Sequence, residues 1–239
     1  MPGLAGHLKA VDYFLRAEPE GLGAWMLHRE SRLVWFCAMA VVAGAGSYGA
    51  AMSCWWSPLQ ACYVAVKLPL LLLLTSLGNG LLNGMLAPLL GLNVTFRQSL
   101  SAVLVSFAYA ALVLGALSPV ALFVVWNTPA LAPETRAWSP EYAFLQLALV
   151  GFIAFAGVVG NLQLLPLLRQ LTRNRVAARN VLVAWLAGNL FLGSQICWVL
   201  RPFVWDPGRP VAFIGPDCLH GSFYETIFVA LGHLAHWGR

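Results

Sequence analysis

Thr75, Asn79 and Asn83 recur every four residues in a stretch that is otherwise almost entirely Leu and Gly. On a helix this spacing places all three on one face. A carboxamide brings both a donor group and an acceptor, and in apolar surroundings each seeks a partner. Gly78, Gly80 and Gly84 stand beside the polar face, and Gly80 and Gly84 have the spacing that lets two helices approach closely. Two kinds of chemistry fit: a polar seam that glues helices together, or one wall of a cavity for a lipid headgroup or small solute. Lys67 lies earlier in the same stretch and is the one charged residue well away from the connecting segments. A charge at that depth marks a functional site by default. Its place about a turn from the end of its apolar segment also lets it snorkel to the interface.

A second constellation follows Gly193. It begins Ser194-Gln195-Ile196-Cys197-Trp198-Val199-Leu200-Arg201-Pro202-Phe203 and continues through Asp206, Arg209, Phe213, Asp217 and Glu225. Gln195, Trp198 and Pro202 have the spacing of one helix face. The prolines and glycines after Leu200 favour an ordered loop of fixed shape. Arg201 and Arg209 suit a carboxylate of the tail or a phosphate. The outer-face candidates are therefore Lys67, Gln195, Trp198 and Arg201, with Arg201 expected to anchor a lid formed by residues 201–237. A structural cap on the bundle is the plainer expectation for the same residues.

The remaining chemistry is sparse. No expected span interior contains Asp, Glu or His, and no paired carboxylates, His-Glu motif or Gly-x-Ser-x-Gly motif occurs there. Proton relays and intramembrane hydrolases depend on such groups. No catalytic, cofactor-binding or metal-ligating residue is assigned, and no cofactor is expected. His233 and His236, one turn apart, lack the rest of a metal ligand set. The five cysteines at 37, 54, 62, 197 and 218 form no Cys-x-x-Cys pair and are expected to pack as small apolar residues. A Cys54–Cys218 disulfide stays open, since sequence does not fix connectivity. The Asn93-Val94-Thr95 sequon is expected on the cytoplasmic side, without a glycan.

The elements that position these residues are apolar. Five runs contain no Asp, Glu, Lys or Arg: 33–66, 68–96, 98–133, 142–168 and 180–200. A membrane-crossing helix needs about 20 such residues. Only 10% of the chain is charged and 60% is hydrophobic, against about 25% charged in soluble domains. The expectation is an all-α integral membrane protein, a bundle of five transmembrane helices near Leu33–Ser53, Cys62–Met85, Leu100–Val125, Tyr142–Gln163 and Val181–Leu200. Trp35, Trp55, Trp56, Trp126, Trp138, Trp198 and Trp205 fall near the ends, where an amphipathic ring is favoured. Ser139-Pro140-Glu141 has the chemistry of a helix start.

Of the 14 Lys and Arg residues, nine fall in the lead, the second loop and the fourth loop, and four on the opposite side. That bias puts the N-terminus in the cytoplasm and the C-terminus outside, in a bacterial inner membrane. Leu4, Leu8, Val11 and Leu15, and later Phe223, Ile227, Leu231 and Leu234, repeat at helical spacing. They suggest N- and C-terminal interfacial amphipathic helices or helices packed on the rim of the bundle. Ser222 and Glu225 have the spacing of a capping box. The division is a cytoplasmic amphipathic lead at 1–32, a five-span domain at 33–200 and an outer loop with its helix at 201–239. The apolar segment from residue 33 follows a mixed-charge lead unlike a signal peptide, and is expected to remain as a helix.

This layout resembles the Yip1-like membrane proteins. The resemblance is carried by Lys67-Leu68-Pro69-Leu70, by Gly91-Leu92-Asn93-Val94-Thr95-Phe96-Arg97-Gln98-Ser99-Leu100, where the family has a short loop with a Phe-x-x-x-Leu pattern between the second and third spans, and by Ser118-Pro119, where the family has a proline closing the third span. The element Gln195 to Phe203 is similar to a Gln-x-x-Trp-x-x-Arg-Pro-Phe pattern in a bacterial branch. The acidic Asp-Leu-Tyr-Gly-Pro element of eukaryotic Yip proteins is absent. The resemblance implies a non-enzymatic protein that acts through protein or lipid contacts, as an organising or accessory subunit. The alternative is a channel or transporter for a small or lipid-like solute, built on Thr75, Asn79 and Asn83. The expected partners are membrane lipids and a membrane protein or a second copy of the chain, with no role for nucleic acid.

Overall fold

A computed structural model describes residues 30–54, 57–86, 95–129, 140–172, 175–203, 211–215 and 218–225. It contains five long helices: α1 Glu30–Ser53, α2 Pro58–Leu86, α3 Phe96–Asn127, α4 Pro140–Thr172 and α5 Arg175–Val199. All five are long and apolar enough to cross a membrane, and no strand occurs among the described residues. The protein is an all-α bundle of membrane-length helices.

Helix ends differ from those expected because apolar runs do not register caps. Helix α2 begins at Pro58 rather than Cys62, with Ser57 Oγ accepting from Leu59 N at 3.2 Å. Helix α3 begins at Phe96 rather than Leu100. There Thr95 Oγ1 accepts from Gln98 N and Gln98 Oε1 accepts from Thr95 N, a complete capping box. Thr95, the end of the sequon, is therefore a helix cap; Asn93 lies outside the described residues. Helix α4 starts at Pro140 as expected but continues through Pro166 to Thr172. Pro119 does not close the third span: α3 runs on to Asn127. Proline cannot return a hydrogen bond to the carbonyl four residues earlier. Ser118 Oγ donates to that carbonyl, on Gly115, at 2.6 Å, which lets the helix continue.

The helices run up and down, and α3 occupies the middle, packed on α1, α2 and α4; α5 packs on α2 and α4. Missing side chains set the closest approaches. A Cβ on Gly44 of α1 would collide with the Ala111 carbonyl of α3, and one on Gly49 would lie 2.6 Å from the Val64 carbonyl of α2. Tyr48, fully buried, donates its hydroxyl to the Leu149 carbonyl of α4 at 2.8 Å. Polar side chains point inward: Gln60, Lys67, Thr75, Ser76, Asn79, Asn83, Ser99, Ser101 and Ser106 are all buried. The outward faces carry Trp35, Leu82, Phe123, Phe144, Leu147, Phe155 and Leu190. A polar interior within an apolar exterior is the distribution that hydrocarbon surroundings favour.

The expected amphipathic helices fall mostly outside the described residues, as do His233 and His236. In the tail, 223–225 is helical and Ser222 Oγ accepts from Glu225 N at 3.1 Å.

Candidate functional site

Two constructions gather the candidate residues, one between α2 and α5 and one over the end of the bundle where α2 begins.

Thr75, Asn79 and Asn83 are each less than 5% exposed. Thr75 and Asn79 lie against α5. Asn79 Nδ2 donates to the Trp185 carbonyl at 3.1 Å and to Asn189 Oδ1 at 2.6 Å. Asn79 Oδ1 meets Gly188, where a Cβ would collide with it. One turn further, Gly193 packs on Thr75, whose hydroxyl is returned to the Leu71 carbonyl of its own helix. Gly80 and Gly84 lie against Leu100 and Phe96 of α3. Asn79 thus joins α2 to α5, with the small residues admitting the partner helices. Asn79 Oδ1, Asn83 Nδ2, Ser99 Oγ and Asn161 Oδ1 are buried without a hydrogen-bond partner among the described residues.

Asn189 and Gly188 are residues that sequence reasoning missed. Gly188-Asn189 followed by Gly193 repeats the mixture of glycine and amide in α2, and that signal could have paired the two helices. Replacing Asn79 with Leu should lower stability by about 0.6–1.7 kcal/mol, the range for interhelical hydrogen bonds in membranes. Reversible unfolding in bicelles checks this, and an unchanged midpoint would mean that the amide does not join the helices.

Lys67 lies more than two turns inside α2, because that helix starts at Pro58. It does not snorkel outward; its side chain is fully buried beneath the tail. Lys67 Nζ donates to the Pro202 carbonyl at 2.9 Å and to the Ala212 carbonyl at 3.5 Å. It also lies 5.8 Å from the Phe203 ring centroid and 5.3 Å from that of Phe213. Gln60 Nε2 donates to the same Pro202 carbonyl at 3.2 Å. Tyr63, between Gln60 and Lys67, meets Phe213 edge-on with centroids 5.4 Å apart.

Arg201 lies where α5 meets the tail. Its guanidinium stacks 3.6 Å from the Trp198 ring centroid and donates to the carbonyls of Trp198 and His220. Trp198 Nε1 reaches the His220 carbonyl as well, at 3.4 Å. Arg201 therefore fastens the tail to the end of α5, while Lys67 fastens it to α2. Farther along, Tyr224 shares a hydrogen bond with Ser194 at 2.8 Å and stacks on Phe191. Gln195 is half-buried on α5 and is not brought into this construction. Cys54 and Cys218, like the other three cysteines, are free thiols. Among the described residues no group of His, Cys, Asp and Glu could hold a metal ion.

An all-helical bundle with apolar outer faces, internal amide seams and a buried cation closed over by its own tail defines a polytopic α-helical membrane protein. No family model, curated protein or solved structure matches the chain.

Proposed function

We propose that the chain is a non-enzymatic membrane protein of the Yip1-like layout, acting through protein or lipid contacts as an organising or accessory subunit. The observation that carries this reading is the use of its polar side chains. Asn79 joins α2 to α5, and Gln60 and Lys67 bind backbone carbonyls of the tail. Thr75 returns its hydroxyl to its own helix. The outward faces of α4 and α5, in contrast, are broad and apolar, with Phe144, Leu147, Phe155, Leu162, Leu190 and Phe191 exposed. Of the face proposed for solute passage, Thr75 and Asn79 are covered by α5, which favours the contact reading over the channel or transporter.

Gentle extraction followed by native mass spectrometry tests it. Recovery of a stoichiometric protein partner, retained lipid or a second copy is the expected result. A bare monomer whose reconstitution confers solute flux would overturn it.

The finer membrane assignment belongs to the same proposal: a bacterial inner membrane, with the N-terminus in the cytoplasm and the C-terminus outside, supported by the nine-to-four bias of Lys and Arg. A periplasm-active reporter fused after Arg239 should be active. Activity from a cytoplasm-only reporter at that position would reverse the orientation.

A further inference from the structure

The surroundings of Lys67 Nζ have an internal regularity. Pro202-Phe203 and Ala212-Phe213 each supply one carbonyl from the first residue and one ring from the second. Both carbonyls lie within hydrogen-bonding reach, and both rings lie within the roughly 6 Å at which a cation is attracted to an aromatic face. Among the described residues these four groups are the whole set of partners that Lys67 has. All four belong to the tail, and none to the helix that carries the lysine.

We propose that these four groups form a recognition site for a primary alkylammonium ion, filled in the resting protein by the side chain of Lys67. A primary ammonium suits it for two reasons. It carries N–H donors for both carbonyls, and its charge is compact enough to lie between two phenyl rings. A quaternary ammonium has no donor to give, and an alcohol has no charge. The alkyl part of the ligand takes the path of the lysine methylenes through the buried outer half of α2.

The site is also held independently of its occupant. Gln60 bonds the Pro202 carbonyl from α2, and Tyr63 packs against the Phe213 ring. Arg201 and Trp198 fix the tail to α5 through the His220 carbonyl. The Gly215 N–H donates to the Arg201 carbonyl at 3.2 Å, joining the two arms. Shortening Lys67 to alanine therefore leaves the carbonyls and rings in place around a space of the length of an n-propylammonium ion, the three carbons and one nitrogen beyond Cβ. In the native protein the tethered lysine competes at an effective concentration of about millimolar or higher, so free amine has little effect.

The experiment uses the full-length Lys67→Ala protein in nanodiscs, with n-propylammonium, tetramethylammonium and n-propanol as probes. The readout is hydrogen exchange of the tail from Val211 to Glu225. Without a probe, exchange should be at least ~10-fold faster than in the native protein, since a charge-assisted bond and two ring contacts are lost. Propylammonium should restore protection in a saturable way, with no effect from the other two probes. The native protein should respond to none of them. Equal rescue by propanol would show that the space needs only filling, and no rescue by propylammonium would show that there is no ammonium site; either overturns the proposal. Where Lys67→Ala yields no folded protein, Lys67→Arg and Lys67→Met decide. Tail protection kept by Arg and lost by Met supports a cation site, and identical exchange in the two removes it.

Discussion

Replacing Gly44 with alanine should destabilise the bundle by about 3 kcal/mol, at the upper end of what overpacking usually costs. The added methyl would fall on the Ala111 carbonyl of α3. A backbone carbonyl has no rotamer through which to escape, so relief requires α1 and α3 to separate. The same crossing has a second close approach: a Cβ on Gly115 would lie 3.0 Å from Gly44 Cα. Separation would spread, because α3 is the helix on which α1, α2 and α4 all pack. It would also pull Tyr48, one turn along α1, from the Leu149 carbonyl of α4. The internal control is Gly151→Ala or Gly157→Ala in α4, where an added Cβ meets nothing within 4 Å. Those variants should be neutral or slightly stabilised, since alanine favours helix by roughly 0.5–1 kcal/mol over glycine. Thermal unfolding in one detergent, with all three variants side by side, measures the contrast. Equal midpoints for Gly44→Ala and Gly151→Ala would show that α1 and α3 do not cross as described.

The membrane helices were legible because hydrocarbon imposes a global rule: long segments must exclude charge. That rule locates the five helices and is silent on their ends, which depend on single residues such as Ser57 and Thr95. Helical periodicity likewise exposed the Thr75–Asn79–Asn83 face, because side-chain type and spacing are sequence properties. It left the partner unidentified, since pairing α2 with α5 depends on tertiary register. The surroundings of Lys67 were hidden for a different reason. Its acceptors are backbone carbonyls, which every residue carries, so Pro202 and Ala212 have no compositional mark. Phe203 and Phe213 stand among the aromatics of the tail, but nothing in their spacing points to a shared cation. Arg201 is legible as an anchor because a guanidinium seeks partners, but its stacking on Trp198 and its bonds to carbonyls have no mark in the sequence.

Replacing Gly188 with alanine should cost about 2 kcal/mol, and the cost should disappear when Asn79 is also alanine. The new methyl would fall on Asn79 Oδ1, with the amide carbon behind it at 3.3 Å. Unlike the Ala111 carbonyl, this obstacle is a side chain and can turn aside. Turning removes the bonds from Asn79 Nδ2 to Asn189 Oδ1 and to the Trp185 carbonyl. Each such bond is worth about 0.6 kcal/mol on average and up to about 1.7 in membrane helices. Losing both, with a buried amide left to find new partners, accounts for the expected size. With Asn79 already alanine there is no amide to displace, so the second substitution should add almost nothing. The double-mutant cycle should therefore be strongly non-additive. The effect should also reach the tail, because α5 holds Trp198, Ser194 and Phe191, to which residues 220–224 are fastened. Exchange at Tyr224 should rise in Gly188→Ala and return toward the native rate in the double variant only as far as α5 regains its seat. Additive costs, or a Gly188→Ala protein as stable as the native one, would mean that Asn79 does not meet α5 at Gly188.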